Sequence, residues 1–270
     1  MYNTYYSPNR VANGNFAQIG NEEVTNGDFS QEGSEQANYS DNNIFFLNSS
    51  DSTTISLGSN SYRSEAFGNT NDARPRVQIN GTGIVTGKTY KVVYTPISFT
   101  GSTVFDFFQN SIRIVNNHDA SVAKTFYFVA SNGIDAFDFD GSQTFRSDYT
   151  LSIKEVGQSW EMNSTAIFTA NGINITAGGY IRQDVLTSGK SYQLTYDIIS
   201  YTSGNIRVYD GTDQGNIPTV LGSNTFNFKA GGSLFYIQAN SNPVNLVIDN
   251  ISIKEVGQHW TLTNGWSIDD

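Results

Sequence analysis

Cysteine is missing altogether from this 270-residue chain. No disulfide can brace it, so each folding unit has to be large enough to hold its own apolar core. Histidine occurs only at His118 and His259, which rules out a histidine-based metal cluster or a catalytic histidine repeated along the chain. No run approaches the ~18 consecutive apolar residues of a membrane-spanning helix. The opening Met1-Tyr2-Asn3-Thr4-Tyr5-Tyr6 lacks the basic start and apolar stretch of a secretory signal, so a cytoplasmically made chain with no membrane partner is expected. Positive charge is short as well: 15 Lys and Arg stand against 25 Asp and Glu, and the net charge of −10 argues against a nucleic-acid partner. Leucine is scarce, and no stretch keeps a helical apolar period for three turns. The Gly-x-Ser-x-Gly and His-Glu-x-x-His motifs do not occur.

What is present is β-forming. Tyr, Phe, Ile, Val and Thr suit pleated, half-buried strands, and the frequent Gly and Asn suit tight turns. The chain also repeats itself. Ser152-Ile153-Lys154-Glu155-Val156-Gly157-Gln158 returns unchanged at Ser252 to Gln258, 100 positions later, and each copy is followed by one variable residue and a tryptophan, Trp160 or Trp260. Gly87-Lys88-Thr89-Tyr90 matches Gly189-Lys190-Ser191-Tyr192. Ile97-Ser98-Phe99-Thr100 matches Ile199-Ser200-Tyr201-Thr202, and Thr125-Phe126-Tyr127-Phe128 matches Thr225-Phe226-Asn227-Phe228. Matched segments in the same order mean tandem copies of one module.

The expected organisation is an N-terminal arm over 1–21, one module over 22–157, a second over 158–257, and a segment over 258–270 that restarts the repeat. Within the second module, strands are expected at 166–169, 179–185, 191–199, 205–210, 224–228, 233–239 and 244–256, with turns such as Asn171-Gly172 between them. In the first, strand candidates include Ile44–Leu47, Thr53–Leu57, Val77–Ile79, Tyr90–Tyr94 ended or bulged by Pro96, Val104–Phe108, Ser111–Val115, Thr125–Ala130, Ala136–Phe139 and Tyr149–Val156. Short strands spaced by turns, without helices, read as all-β, two tandem β-sandwiches of the jelly-roll kind. Val11 to Phe16 resembles Val24-Thr25-Asn26-Gly27-Asp28-Phe29 just downstream. It is either a degenerate copy or an extended arm with an Asn-Gly turn.

The opening Asn26-Gly27-Asp28-Phe29, the closing Ile248-Asp249-Asn250-Ile251-Ser252-Ile253 and the module length together resemble the carbohydrate-binding-module, galactose-binding-like jelly-roll family. The Ser-Ile-Lys-Glu-Val-Gly-Gln repeat with its Trp, then Asn264-Gly265-Trp266-Ser267-Ile268, is similar to tandem repeats in structural proteins of tailed bacteriophages, especially marine ones. This resemblance implies a virion-surface protein made in the host cytoplasm, as a capsid decoration, head fibre or tail appendage. Its partners would be other virion proteins, copies of itself and cell-surface glycans. It also implies a structural calcium ion near the first and last strands, with Asp249 as ligand and Glu22 or Glu23 as its partners. The first module departs from the pattern, with Tyr149-Thr150 where the second has Asp249-Asn250.

Several local patterns invite chemistry. Gly87-Lys88-Thr89, after Gly81, nearly spells a phosphate loop, but it leads into a strand pattern and reads as a turn. Asp135, Asp138 and Asp140, and separately Asp210 and Asp213, offer oxygen ligands without completing an ion-binding loop. Alternation with Phe137 and Phe139 gives the first set the look of a wet strand face. Acidic residues are not placed alike in the two modules, so no shared hydrolytic site is implied and the chain reads as non-enzymatic. Trp160, Tyr180, Tyr201 and Tyr209 are candidates for stacking on sugar rings. That property supports the rival readings, a pair of glycan-binding modules or the non-catalytic part of a polysaccharide depolymerase. Tyr2, Tyr5, Tyr6 and Phe16 on the arm, with Trp260 and Trp266 near the C-terminus, are candidates for assembly contacts.

Overall fold

The computed structural model describes residues 19–37, 53–57, 61–66, 75–79, 83–133, 135–141, 144–163 and 165–257. They form strands and turns, and no helix occurs among them. Two short strands come first, β1 (Ile19–Glu22) and β2 (Glu32–Glu35). The first module then supplies β3 (Thr53–Leu57), β4 (Tyr62–Ala66), β5 (Arg76–Gln78), β6 (Thr89–Thr100), β7 (Thr103–Gln109), β8 (Ile112–Asp119), β9 (Lys124–Val129), β10 (Asp135–Gly141) and β11 (Phe145–Val156). The second supplies β12 (Glu161–Met162), β13 (Ala166–Thr169), β14 (Gly172–Thr176), β15 (Tyr180–Asp184), β16 (Ser191–Ser203), β17 (Ile206–Tyr209), β18 (Asp213–Asn216), β19 (Gly222–Lys229), β20 (Leu234–Ala239) and β21 (Asn245–Val256).

The sheets confirm that one module is used twice. The larger sheet of the first module runs β3-β4-β11-β6-β9 with β2 beside β11, and that of the second runs β13-β14-β21-β16-β19 with β1 beside β21. The smaller sheets run β5-β10-β7-β8 and β12-β15-β20-β17-β18. All pairings are antiparallel, and the order is the same in both modules once β12, one extra edge strand of the second, is set aside. In the first module both sheets feed one core, with Tyr62, Tyr94 and Tyr149 of the larger sheet meeting Phe105, Phe137 and Phe139 of the smaller. Tyr94 and Phe105 have ring centroids 4.6 Å apart, and Phe139 and Tyr149 stack at 5.0 Å. Such rings in offset or tilted contact add to the large area each one buries. The buried hydroxyls are satisfied: Tyr94 donates to the Ala120 carbonyl at 2.7 Å, and Tyr149 pairs with Ser64 at 3.0 Å.

The expected strands are present, with local differences. Pro96 bulges β6 rather than ending it, since Tyr149 pairs with Pro96 and Asp148 with Ser98, leaving Ile97 out of register. β1, β2, β4, β12, β14 and β18 lie where no strand is expected from the sequence; the Asn171-Gly172 turn folds β14 back on β13 as a hairpin. Ile44–Leu47 lies outside the described residues.

The larger difference is one of boundary. The chain divides into two compact units at Ser30/Gln31 and Gln158/Ser159. Residues 19–30, expected in the arm and at the opening of the first module, belong instead with the second. β1 pairs with β21, the Ile251 amide donates to the Gly27 carbonyl at 2.9 Å, and Val24 and Phe29 are buried. The Trp160 indole N–H donates to the Asn26 carbonyl at 2.9 Å, and its ring lies 5.5 Å from Phe29.

These contacts explain the repeated heptad. In the second module Glu22 accepts from the Ile253 amide at 2.8 Å and from the Ser252 hydroxyl. In the first, thirteen positions later in the chain, Glu35 accepts from the Ile153 amide and the Ser152 hydroxyl, each at 2.6 Å. Ile153 and Ile253 are buried, Glu155 pairs with Lys88 and Glu255 with Lys190, and Gly157 and Gly257 have positive φ. The heptad is therefore the receptor for a short N-terminal strand in each module.

Candidate functional site

The smaller sheet of the second module turns Ile181, Val208, Phe235 and Ile237 inward, all fully buried. Strand alternation then sends the intervening residues to the outer face. Two rows result. Glu161, Arg182, Tyr236, Tyr209 and Asp213 pair in succession across β12, β15, β20, β17 and β18. Tyr180, Gln238, Arg207 and Asn216 form the neighbouring row. Tyr180, Tyr209 and Tyr236 are half-buried. Tyr236 sits between the other two rings, 5.6 Å from Tyr180 and 5.9 Å from Tyr209, edge to face with each.

The polar groups hold the rings in place. Arg182 bonds both the Tyr236 hydroxyl and the Glu161 carboxylate, and these two contacts keep its guanidinium charged. Arg207 lies over the Tyr209 ring at 5.6 Å, donates to Asp213 at 2.6 Å, and donates to the Gln238 amide oxygen from two nitrogens at 2.7 Å. The result is a fixed aromatic patch edged by guanidinium, amide and carboxylate groups. Aromatic faces suit the C–H surfaces of sugar rings, and the planar groups around them suit neighbouring hydroxyls.

Of the sequence candidates, Tyr180 and Tyr209 come together here, and Tyr236 joins them. Tyr236 was missed because its neighbours Phe235 and Ile237 make β20 read as a core strand; alternation was the signal that marks it as outward. Tyr201 is 43% exposed on β16, in the other sheet of the module. Trp160 is 8% exposed and bonded to the N-terminal segment, so its ring faces the interior rather than a ligand. Tyr2, Tyr5, Tyr6, Phe16, Trp260 and Trp266 lie outside the described residues.

The calcium candidates are not brought together. Glu22 is engaged by the Val24 and Ile253 amides and the Ser252 hydroxyl, and Glu23 joins the ladder through its backbone amide to the Ile253 carbonyl. Asp249 accepts from the Asn250 amide at 2.8 Å. Burial raises its carboxyl above the ordinary value, and the charges of Asp28 and Asp197 add to the rise. Among the described residues no group of three or more His, Cys, Asp or Glu side chains is gathered to hold a metal.

The other acidic sets have structural work. Asp210, 1% exposed, ties down its turn by accepting from Thr212, Gln214 and the Gly231 amide. Asp213 serves Arg207. Asp135 accepts from the Ser131 amide and hydroxyl. Asp138 is buried and ion-paired with Arg76, which corrects the expectation of a wet strand face. The side chain of Asp140 lies outside the described residues. Gly87-Lys88 is a turn leading into β6, as its sequence pattern indicated.

In the first module the equivalent face differs in kind. The Ala120 amide donates to the Thr103 carbonyl as the Ile217 amide does to that of Ile206, and the Ile79 amide donates to the Asp135 carbonyl as those of Val185 and Leu186 do to that of Ser233. With the modules matched on these bonds, ladder register sets Asp138 where the second module has Tyr236, Asp106 for Tyr209 and Arg76 for Arg182. Neither of those two rings is kept. Asp106 and Asp138, directly opposite each other, are buried and tied to Arg113 and Arg76.

No protein-family model matches the chain, and no curated protein matches it. Among solved structures it is similar to a tandem CBM22 domain pair from Paenibacillus barcinonensis, at 7% identity and a TM-score of 0.30, covering 88% of this chain and 99% of that one. It is also similar to an anti-sigma factor domain-containing protein, at 11% identity and a TM-score of 0.19, covering 80% of this chain and 89% of that one.

Proposed function

We propose that the chain is a non-enzymatic glycan-binding protein, and that its second module carries the binding face. The observation behind this reading is the contact of Tyr180, Tyr236 and Tyr209 on one solvent-facing sheet, held by Arg182 and Arg207. A sugar chain laid on the rings would stack its C–H faces there and exchange hydrogen bonds with Gln238, Arg207, Asn216 and Glu161. The test is a cell-surface glycan array probed with the full chain and with Tyr236→Ala, Tyr209→Ala and Tyr201→Ala variants. Binding should fall tenfold or more, about 1.4 kcal/mol or above, for the first two and persist for the third. Absence of any bound glycan, or binding indifferent to Tyr236 and Tyr209, would overturn the reading.

The tandem repeat, through its likeness to repeats in tailed-phage structural proteins, favours the exterior of a virion as the place where this binding occurs. Mass spectrometry of purified particles from an infected host tests that placement, and consistent absence of the chain would refute it.

A further inference from the structure

The N-terminal segment that completes the second module reaches it from across the whole first module. Residues 19–30 belong to one compact unit, residues 31–158 to the other, and the chain returns to the first unit at Ser159. The segment is a separable part. β1 is four residues long and mostly exposed, and its hold on β21 comes from backbone pairing and the Glu22 carboxylate. Contacts beyond that pairing tie the segment to the second module. Thr25 donates its amide to the Gln183 side chain at 3.1 Å and accepts from that side chain at 2.7 Å, while Asn26 and Phe29 engage Trp160. Without this segment, Trp160 and Ile251 would lose their cover.

The return connection is short and strained. Gly157 and Ser159 both have φ of 74°, a left-handed conformation that glycine tolerates and a residue with a Cβ disfavours. Short strained connections between folding units promote exchange of an element between copies, because opening the connection relieves the strain while every contact of the element is kept. We propose that residues 19–30 are exchanged between two copies of this chain, each copy's β1 segment completing the second module of the other. The acceptor is the β21 heptad with Gln183 and Trp160, and the partner is a second copy.

The chain contains no cysteine, so an Ile19→Cys, Val256→Cys variant offers one defined disulfide between ladder partners. After oxidation of concentrated full-length protein, exchange yields disulfide-linked dimers on a non-reducing gel, and light scattering gives twice the chain mass for the unmodified protein. Ser159→Gly should lower the dimer fraction several-fold by removing the strain. Monomeric mass for the unmodified chain at all concentrations overturns the proposal. So does a dimer whose engineered disulfides are all within one chain. Should the cysteine variant fail to fold, mixing tagged and untagged unmodified chains, unfolding and refolding them together decides the matter: tagged–untagged dimers must form, and their absence refutes exchange.

Discussion

Asp138 occupies in the first module the ladder position that Tyr236 occupies in the second. Asp138 is 4% exposed and ion-paired with Arg76, so that face offers a ligand neither the central ring nor a free polar group in its place. Titration calorimetry with a glycan ligand should therefore give one site per chain, with Tyr236→Ala removing the heat signal. Two equivalent sites would contradict this.

Glu22 and Glu35 each receive a backbone amide of a terminal strand, and loss of either leaves that amide with one partner fewer. Glu35→Ala should destabilise the first module by about 1–2 kcal/mol, and Glu22→Ala the second by a similar amount. Hydrogen exchange reads the two apart: the Ile153 amide should speed up in the first variant and the Ile253 amide in the second. Equal protection of both amides in both variants would count against the contacts.

Gly27 has no room for a side chain, since a Cβ there would stand 1.8 Å from the Ile251 carbonyl oxygen. Gly27→Ala should displace the N-terminal segment at a cost of about 1–3 kcal/mol. Trp160 then loses its cover, and tryptophan emission should shift to longer wavelength. An unchanged spectrum and melting temperature would refute the close approach.

The raised carboxyl of Asp249 carries a pH dependence. Its protonated form suits the folded state, so its favourable contribution is complete below the ordinary value of 3.8 and is lost as pH rises through the higher folded value. At neutral pH the charged form opposes folding, and Asp249→Asn should melt at a higher temperature than the parent. That difference should close as the pH falls below 3.8. A lower melting temperature for the variant at neutral pH would count against the assignment.

Buried tyrosines limit stability at the alkaline end. Burial pushes Tyr94 up to about 12 and Tyr149 well above its ordinary 10. Their contribution is whole below 10 and is lost as pH climbs through the folded values. Phenolate absorbance of these rings should appear together with loss of the β-sheet circular dichroism signal. Tyr94→Phe, which removes the bond to the Ala120 carbonyl, should cost about 1–2 kcal/mol.

Much of the site was legible only in part. Tyr180 and Tyr209 stood out as aromatic residues in the second module, but pairing across β15, β20 and β17 is long-range, and it is this register that sets Tyr236 between them. Trp160 looked like a surface ring because nothing local to it shows the Asn26 carbonyl waiting 134 residues upstream.

The sequence by itself determined that the chain is β-built and modular. Residue preference and alternation act locally, and a heptad returning unchanged needs no structure to be seen. Tertiary structure alone decided which strand closes which module. Glu22 and Glu35 carry similar short segments, and the heptads they meet are identical, so the pairing rests on contacts outside both. The burial of Phe29 against Trp160 and the reach of Gln183 to Thr25 direct residues 19–30 to the second module, and no local signal encodes them.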